Sequence, residues 1–233
     1  MSRAIQAVIF DKDGTLFDFN RTWGPVTGAM IARECENDRA RMEELAAVLK
    51  FDLDNDRFHP GSLVIASTAD IVEATVLPFT RDGDLTALRA RMRAATGGVA
   101  QVPVTALDPL FGGLRARGLT LGIVTNDAIA PALANLDSVA VRDHFAFVAG
   151  CDSGFGAKPE PGQLLAFCDH TGIAPEACVM VGDSTHDLHA GRAAGMATIG
   201  VLTGPAPADE LRPHADAVLT SIAALPEWLE GRF

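Results

Sequence analysis

Ala7-Val8-Ile9-Phe10-Asp11-Lys12-Asp13-Gly14-Thr15-Leu16 is the stretch from which the rest of the chain is best read. Four apolar residues, too few for a buried helix, run without a break into two carboxylates and a glycine. This predicts a strand buried on both faces, hence a parallel one, followed by a sharp turn. In an open parallel sheet, ligands bind beyond the carboxyl ends of the strands, where Asp11 and Asp13 would stand. Spaced by two, they point to one side in extended geometry while Lys12 points away. Gly14 permits the chain to leave sharply, with positive φ where needed. One carboxylate of such a pair can attack an electrophile while its neighbour moves a proton. Two plainer readings compete: Asp-x-Asp-Gly is also an ordinary turn signal and the opening of an EF-hand loop. The second fails, because the twelfth position from Asp11 is Thr22 and not Glu.

The same pattern of short apolar runs returns at Leu121–Val124, Phe145–Ala149, Cys178–Val181, Thr198–Val201 and Ala217–Leu219. Helical patterns lie between them. Pro161–His170 carries Leu164, Leu165, Phe167 and Cys168 and stops at Gly172, and Thr185–Ala194 stops at Gly195. Alternating β and α elements predict a doubly wound, Rossmann-like α/β parallel sheet. Residues 17–97 break that rhythm. Met42, Leu45, Ala46 and Leu49 sit at helical spacing, as do Ile65, Ala69, Val72 and Val76, then Leu85, Leu88 and Met92. Pro78 and Gly97-Gly98 punctuate the region. The expected organisation is an α/β core over 1–16 and 98–233, interrupted by an all-helical cap over 17–97. Within the core, Pro109 and Gly112-Gly113 predict a broken or mobile helix over Leu107–Gly118.

Three further strand ends carry polar groups. Gly122-Ile123-Val124 runs into Thr125-Asn126-Asp127, whose hydroxyl and amide can both donate to a phosphate oxygen. Gly156-Ala157-Lys158-Pro159-Glu160-Pro161 holds Lys158 extended before Pro159, and Pro161 suits the first turn of a helix. Lys158 is the only lysine beyond residue 50, and its ammonium can serve a phosphate or a carboxylate cluster. Val179-Met180-Val181-Gly182-Asp183-Ser184-Thr185-His186-Asp187 ends a strand and starts a helix. There Ser184 or Thr185 can cap, Asp187 complements the helix dipole, and Asp183 stands where a metal ligand is needed. His186 reads as a surface residue.

Composition narrows the function. The chain has 233 residues with 30 Asp and Glu against 19 Lys and Arg, a formal charge of −11. That length falls between one domain and two. The acidic balance argues against nucleic-acid and anionic-membrane partners, which require clustered basic residues. No apolar run reaches 18 residues, so no membrane-spanning helix is expected, and the N-terminus shows no signal-peptide cleavage pattern. Cys35, Cys151, Cys168 and Cys178 are scattered without a Cys-x-x-Cys pair, which fits buried thiols in a cytoplasmic protein.

Taken in order, Asp-x-Asp-Gly-Thr, Thr-Asn, Lys-Pro and Gly-Asp-Ser-x-x-Asp resemble the four motifs of the haloacid dehalogenase-like hydrolase superfamily. The insertion after the first motif is similar to the cap of its phosphoglycolate phosphatase-like branch. The resemblance implies that Asp11 is the nucleophile forming an aspartyl phosphate and Asp13 the general acid and base. It assigns phosphate stabilisation to Mg²⁺, Thr125, Lys158 and main-chain N–H groups after Asp11 and Asn126, and it places Mg²⁺ on Asp11, the Asp13 carbonyl and Asp183. Asp187 would order a metal water or pair with Lys158. From the cap, Phe17, Arg21, Trp23 and the Phe58-His59-Pro60-Gly61-Ser62 turn are candidate substrate contacts, against a plain packing or surface role for each. The expected activity is hydrolysis of a small phosphorylated metabolite by a monomer or homodimer. A sugar phosphomutase would keep all four motifs, whereas a catalytically silent binding or regulatory protein on this fold would be expected to lose the nucleophile or the acid, and both are present. A dehalogenase needs neither Asp13 nor magnesium.

Overall fold

The computed structural model describes residues 4–65 and 67–230. Met1-Ser2-Arg3, with which the predicted core segment begins, Ala66 of the insertion and 231–233 lie outside the described residues. In chain order the strands are β1 (Ala7–Phe10), β2 (Phe51–Asp52), β3 (Arg57–Phe58), β4 (Thr120–Val124), β5 (Phe147–Ala149), β6 (Cys178–Gly182), β7 (Ala197–Val201) and β8 (Ala217–Leu219). The helices are α1 (Phe19–Glu34), α2 (Arg39–Leu49), α3 (Ala69–Val76), α4 (Leu85–Thr96), α5 (Leu107–Ala116), α6 (Ile129–Ser138), α7 (Gly162–Thr171), α8 (Thr185–Ala193), α9 (Ala208–Leu211) and α10 (Leu225–Trp228).

Six strands pair in the order β5-β4-β1-β6-β7-β8, all parallel. Alternation along the strands sorts their side chains onto two faces. Val8, Phe10, Leu121, Ile123, Val179 and Val181 pack with Phe111 of α5 and Leu225 of α10. Ala7, Ile9, Val124 and Met180 pack instead with Leu164 and Phe167 of α7 and Ala190 of α8. Both faces are covered, which is why β1 and β6 are apolar throughout. The chain builds outward from β1 in one direction through β4 and β5, and in the other through β6, β7 and β8. A crevice therefore opens at the carboxyl end of β1. Register sets what faces it. Phe10 lies level with Ile123 and Val181, so Asp11, Thr125 and Asp183 leave the sheet together.

α5 is an unbroken helix, contrary to the expectation from its proline and glycines. Pro109 is its third residue, where a backbone N–H would have no intrahelical acceptor in any case. Leu107, Phe111 and Leu114 bury one face and hold the helix on the sheet. A methyl at the exposed Gly113 would meet nothing within 4 Å. Gly113→Ala is therefore expected to stabilise the protein by about 0.5–1 kcal/mol, read as a melting temperature a few degrees higher. A lowered melting temperature would contradict this account of α5.

The insertion buries its own apolar cluster, from Phe19, Met30 and Ile31 of α1 through Leu45 and Leu49 of α2 to Val76 and Leu88. Asp18, Asp38 and Asp84 cap α1, α2 and α4 with their carboxylates. It departs from the all-helical expectation in one place. β2 and β3 form a two-residue antiparallel hairpin, too short to show a period of two in sequence. The hairpin turn lies on α1 at Gly24 and Gly28; a Cβ at Gly24 would come within 1.9 Å of the Asp56 carbonyl. The joint to the core is a pair of adjacent segments, tied by Asp18 N–H to Val102 O (2.8 Å) and Val104 N–H to Leu16 O (3.0 Å). The four cysteines are free thiols; Cys151 is half-buried and the others buried. Among the described residues, no helix is long and apolar enough to cross a membrane.

Candidate active site

The Asp11 N–H still bonds Val181 O at 2.9 Å, so the first carboxylate is carried by the sheet itself. The chain then turns at Gly14, whose φ is +81°. That turn is packed on Asp183. A Cβ at Gly14 would stand 2.3 Å from Asp183 Oδ2, and one at Gly204 only 1.7 Å away. Gly204 belongs to the loop after β7, which Thr203 pins by donating from Oγ1 to Gly14 O at 2.6 Å. Thr203 and Gly204 escaped the sequence reading. A Thr-Gly pair just beyond a predicted strand was the available signal, and nothing in it pointed to Asp183.

Lys158 is at the centre of the site and is 5% exposed. Its Nζ donates to Asp11 Oδ1 (2.6 Å), Asp187 Oδ1 (2.6 Å) and Val124 O (3.1 Å), which uses all three ammonium donors. Asp187 Oδ2 meanwhile accepts from Ser184 N–H (3.0 Å) and Ser184 Oγ (2.7 Å). Asp187 thus closes the first turn of α8 and aims the lysine at once. Asn126 grips the lysine's main chain: its Oδ1 accepts from Lys158 N–H (2.8 Å) and its Nδ2 donates to Lys158 O (2.9 Å). The Lys158–Pro159 peptide is cis. The buried Thr125 accepts from Asp127 N–H at Oγ1 (3.1 Å).

Oxygens of Asp11, Asp183 and Asp187 lie within 4.8 Å of one another, all buried. Three carboxylates therefore share one ammonium. Burial pushes the Asp11 carboxyl up to about 7; Lys158 opposes the rise and Asp187 adds to it. Asp183 is raised well above the ordinary carboxylate range by burial and then by Asp11 and Asp187. Burial pulls the Lys158 ammonium down, but Asp11 and Asp187 outweigh it and the net direction is up. Both partners of the Asp11–Lys158 pair move upward, Asp11 chiefly because burial disfavours its charge, with Asp187 adding, and Lys158 because two carboxylates face it. Asp183 Oδ2 is buried with no hydrogen-bond partner among the described residues. A buried carboxylate oxygen left without a donor is costly. A hard divalent cation is the group this all-oxygen donor set fits.

Asp13 stands apart from that cluster. Its Oδ1 accepts from Trp23 Nε1 at 2.8 Å, and its Oδ2 lies 2.7 Å from Lys12 Nζ. Lys12 does not point away as extended geometry predicted. It is fully buried, and its ammonium also reaches Asp127 Oδ2 at 3.1 Å. The strand ends at Phe10 and the alternation rule ends with it. Arg21 is exposed and makes no ion pair among the described residues. Phe17 is buried in the core cluster, and Phe58 packs edge-on against Phe19 and Phe51. His186 lies in the first turn of α8, outside the carboxylate group.

A model of the haloacid dehalogenase-like hydrolases matches residues 5–195. The phosphoglycolate phosphatase of Rhodospirillum rubrum is 32% identical, over 96% of this chain and 90% of that protein. A haloacid dehalogenase family hydrolase from Deinococcus radiodurans R1, solved with bound phosphate and sodium, superimposes with a TM-score of 0.71. It is 26% identical, over 97% of this chain and 95% of that one. The β-phosphoglucomutase of Clostridium difficile shares the fold, with a TM-score of 0.66 and 19% identity over 98% of this chain and 96% of that one. With the motifs after β1, before α7 and after β6 meeting in one buried charge cluster and the family's model covering most of its length, the chain belongs to the haloacid dehalogenase-like hydrolases, on their phosphoglycolate phosphatase-like branch.

Proposed function

We propose that this hydrolase is a Mg²⁺-dependent phosphatase of small phosphorylated metabolites, with phosphoglycolate the first candidate, acting through an aspartyl phosphate on Asp11. The observation that carries the reading is the buried group of three carboxylates around one triply engaged ammonium, with an Asp183 oxygen lacking any donor. Asp11, Asp183 and the Asp13 main-chain carbonyl would hold the cation. When bound, it neutralises the carboxylates and stabilises charge on the phosphoryl oxygens.

The chain's own groups supply the rest. An Asp11 oxygen attacks phosphorus while the bond from phosphorus to the ester oxygen breaks; that oxygen leaves with the electron pair and takes the proton of Asp13. Water then attacks the phosphorus of the aspartyl phosphate and passes one proton to Asp13. Asp11 departs as a carboxylate, phosphate is released and Asp13 is protonated again. Splitting the displacement in two is the gain from covalent catalysis. Lys158 holds Asp11 and balances charge as phosphate enters. The Thr125 hydroxyl can donate to a phosphoryl oxygen, whereas the Asn126 amide serves by fixing Lys158. Residues 17–97 act as a cap that excludes water and selects the leaving group.

A phosphate-release screen over a metabolite panel with Mg²⁺ tests this reading. Release from at least one monoester, lost on adding EDTA, is the expected result. Undiminished release in EDTA would remove the metal. Conversion of a sugar phosphate to its isomer without free phosphate would replace hydrolysis with phosphomutase chemistry.

A further inference from the structure

The side chain of Asp13 is held on both oxygens by groups outside the three-carboxylate cluster. Lys12 is completely buried, and a desolvated ammonium is tolerated only when paired. It is paired twice, to Asp13 from the β1 loop and to Asp127 from the β4 loop. Asp127 is itself fixed, since its Oδ1 accepts from Ala128 N–H (2.9 Å) and its own N–H bonds Thr125 Oγ1. Onto this core-built pair comes one donor from the inserted segment. Trp23, in the second turn of α1, directs its indole N–H to Asp13 Oδ1, and its ring lies 5.9 Å from Lys12 Nζ. A half-buried tryptophan needs some acceptor for its N–H, so the bond alone could be simple satisfaction. The acceptor, however, unlike the buried Asp11, Asp183 and Asp187, stays partly accessible, with its side chain 17% exposed.

We infer that Trp23 is a positioning residue for Asp13: it couples the seat of the cap on the core to the placement of the group that protonates the leaving alcohol. This deepens the phosphatase reading and rests on it. Lys12 alone leaves Asp13 free to swing about a single contact. Adding the indole fixes both oxygens, and only while α1 sits on the core. The one polar atom of Trp23 is then committed to Asp13, which leaves only its ring to meet a substrate.

The test separates a positioning role from packing. Values of kcat/KM are compared for an alkyl phosphate found in the screen and for p-nitrophenyl phosphate, whose nitrophenolate leaves without a proton. Trp23→Phe keeps a ring and removes the donor. It is expected to lower kcat/KM for the alkyl ester by about ten- to hundredfold, less than the roughly 10²–10⁴-fold of a whole general acid because Lys12 still holds Asp13, and far less for the aryl ester. Trp23→His, which retains a ring N–H, should recover part of the alkyl activity. Equal losses on both esters, or no loss on either, would overturn the inference while leaving the phosphatase reading intact. A screen in which the wild-type enzyme released phosphate from no monoester would sink both. Should Trp23→Phe not fold, a Trp228→Phe background leaves Trp23 as the only tryptophan. Its emission must then change on Asp13→Ala, which removes the acceptor, and unchanged emission would count against the bond.

Discussion

Asp11→Asn should abolish phosphate release, lowering kcat by at least about 10³-fold, the scale on which nucleophile removal acts elsewhere. The substitution is nearly isosteric, and an amide oxygen can still accept the 2.6 Å bond from Lys158. Loss of activity would therefore report chemistry rather than collapse. The same change removes one of three carboxylates sharing one ammonium, so the metal-free protein should become more stable as it loses function. A variant that kept activity within tenfold of wild type would remove Asp11 as nucleophile. A variant less stable in chelator would contradict the charge surplus described for the site.

The second large effect is on stability against pH in the absence of metal. The folded protein holds the Asp11 carboxyl at about 7 against an ordinary 3.8, and it also raises Asp183. Between these pH values the folded state binds more protons than the unfolded chain, so stability falls as pH rises. For Asp11 the contribution is present below about pH 4 and is lost on passing about pH 7; three units correspond to roughly 4 kcal/mol at most. Other carboxylates slope oppositely, among them Asp52 and Asp82, which their hydrogen-bond donors hold below the usual range. The difference between wild type and Asp11→Asn isolates the site. Melting temperatures in EDTA should draw apart between pH 4 and 7, to the disadvantage of wild type, and Mg²⁺ should narrow the gap. Parallel curves would mean that the carboxylates are not in conflict.

Much of this was legible in the chain. β1 runs over Ala7–Phe10 as its apolar residues predict, and all six predicted core strands are present, with ends shifted by at most two residues. Buried parallel strands announce themselves because both faces must be apolar, and the runs of β1, β4 and β6 stop where Asp11, Thr125 and Asp183 reach the crevice. α2 and α4 follow their apolar spacing. α1 was harder to see: Gly24, Pro25 and Gly28 look like helix breakers, and the space those glycines leave is filled by a hairpin about thirty positions away.

For the site, residue types and order mark Asp11, Asp13, Lys158, Asp183 and Asp187 as candidates, and the fold gathers Asp11, Lys158, Asp183 and Asp187 while leaving the Asp13 carboxylate apart. The division of labour among them was not legible in the chain. That Asn126 braces Lys158, that Asp187 both caps α8 and aims the lysine, and that Gly204 makes room for Asp183 depend on loops about 20 to 30 positions apart. Trp23 and Lys12 show the limit most clearly. By sequence one was a packing or substrate residue and the other faced away, while in the fold both turn onto Asp13. Sequence by itself determined the strands, their polarity and the chemical types at their ends, since burial and periodicity act locally. Which donor meets which carboxylate was decided by tertiary structure, because a hydrogen bond is set by distances of about 3 Å between atoms that register and loop packing bring together.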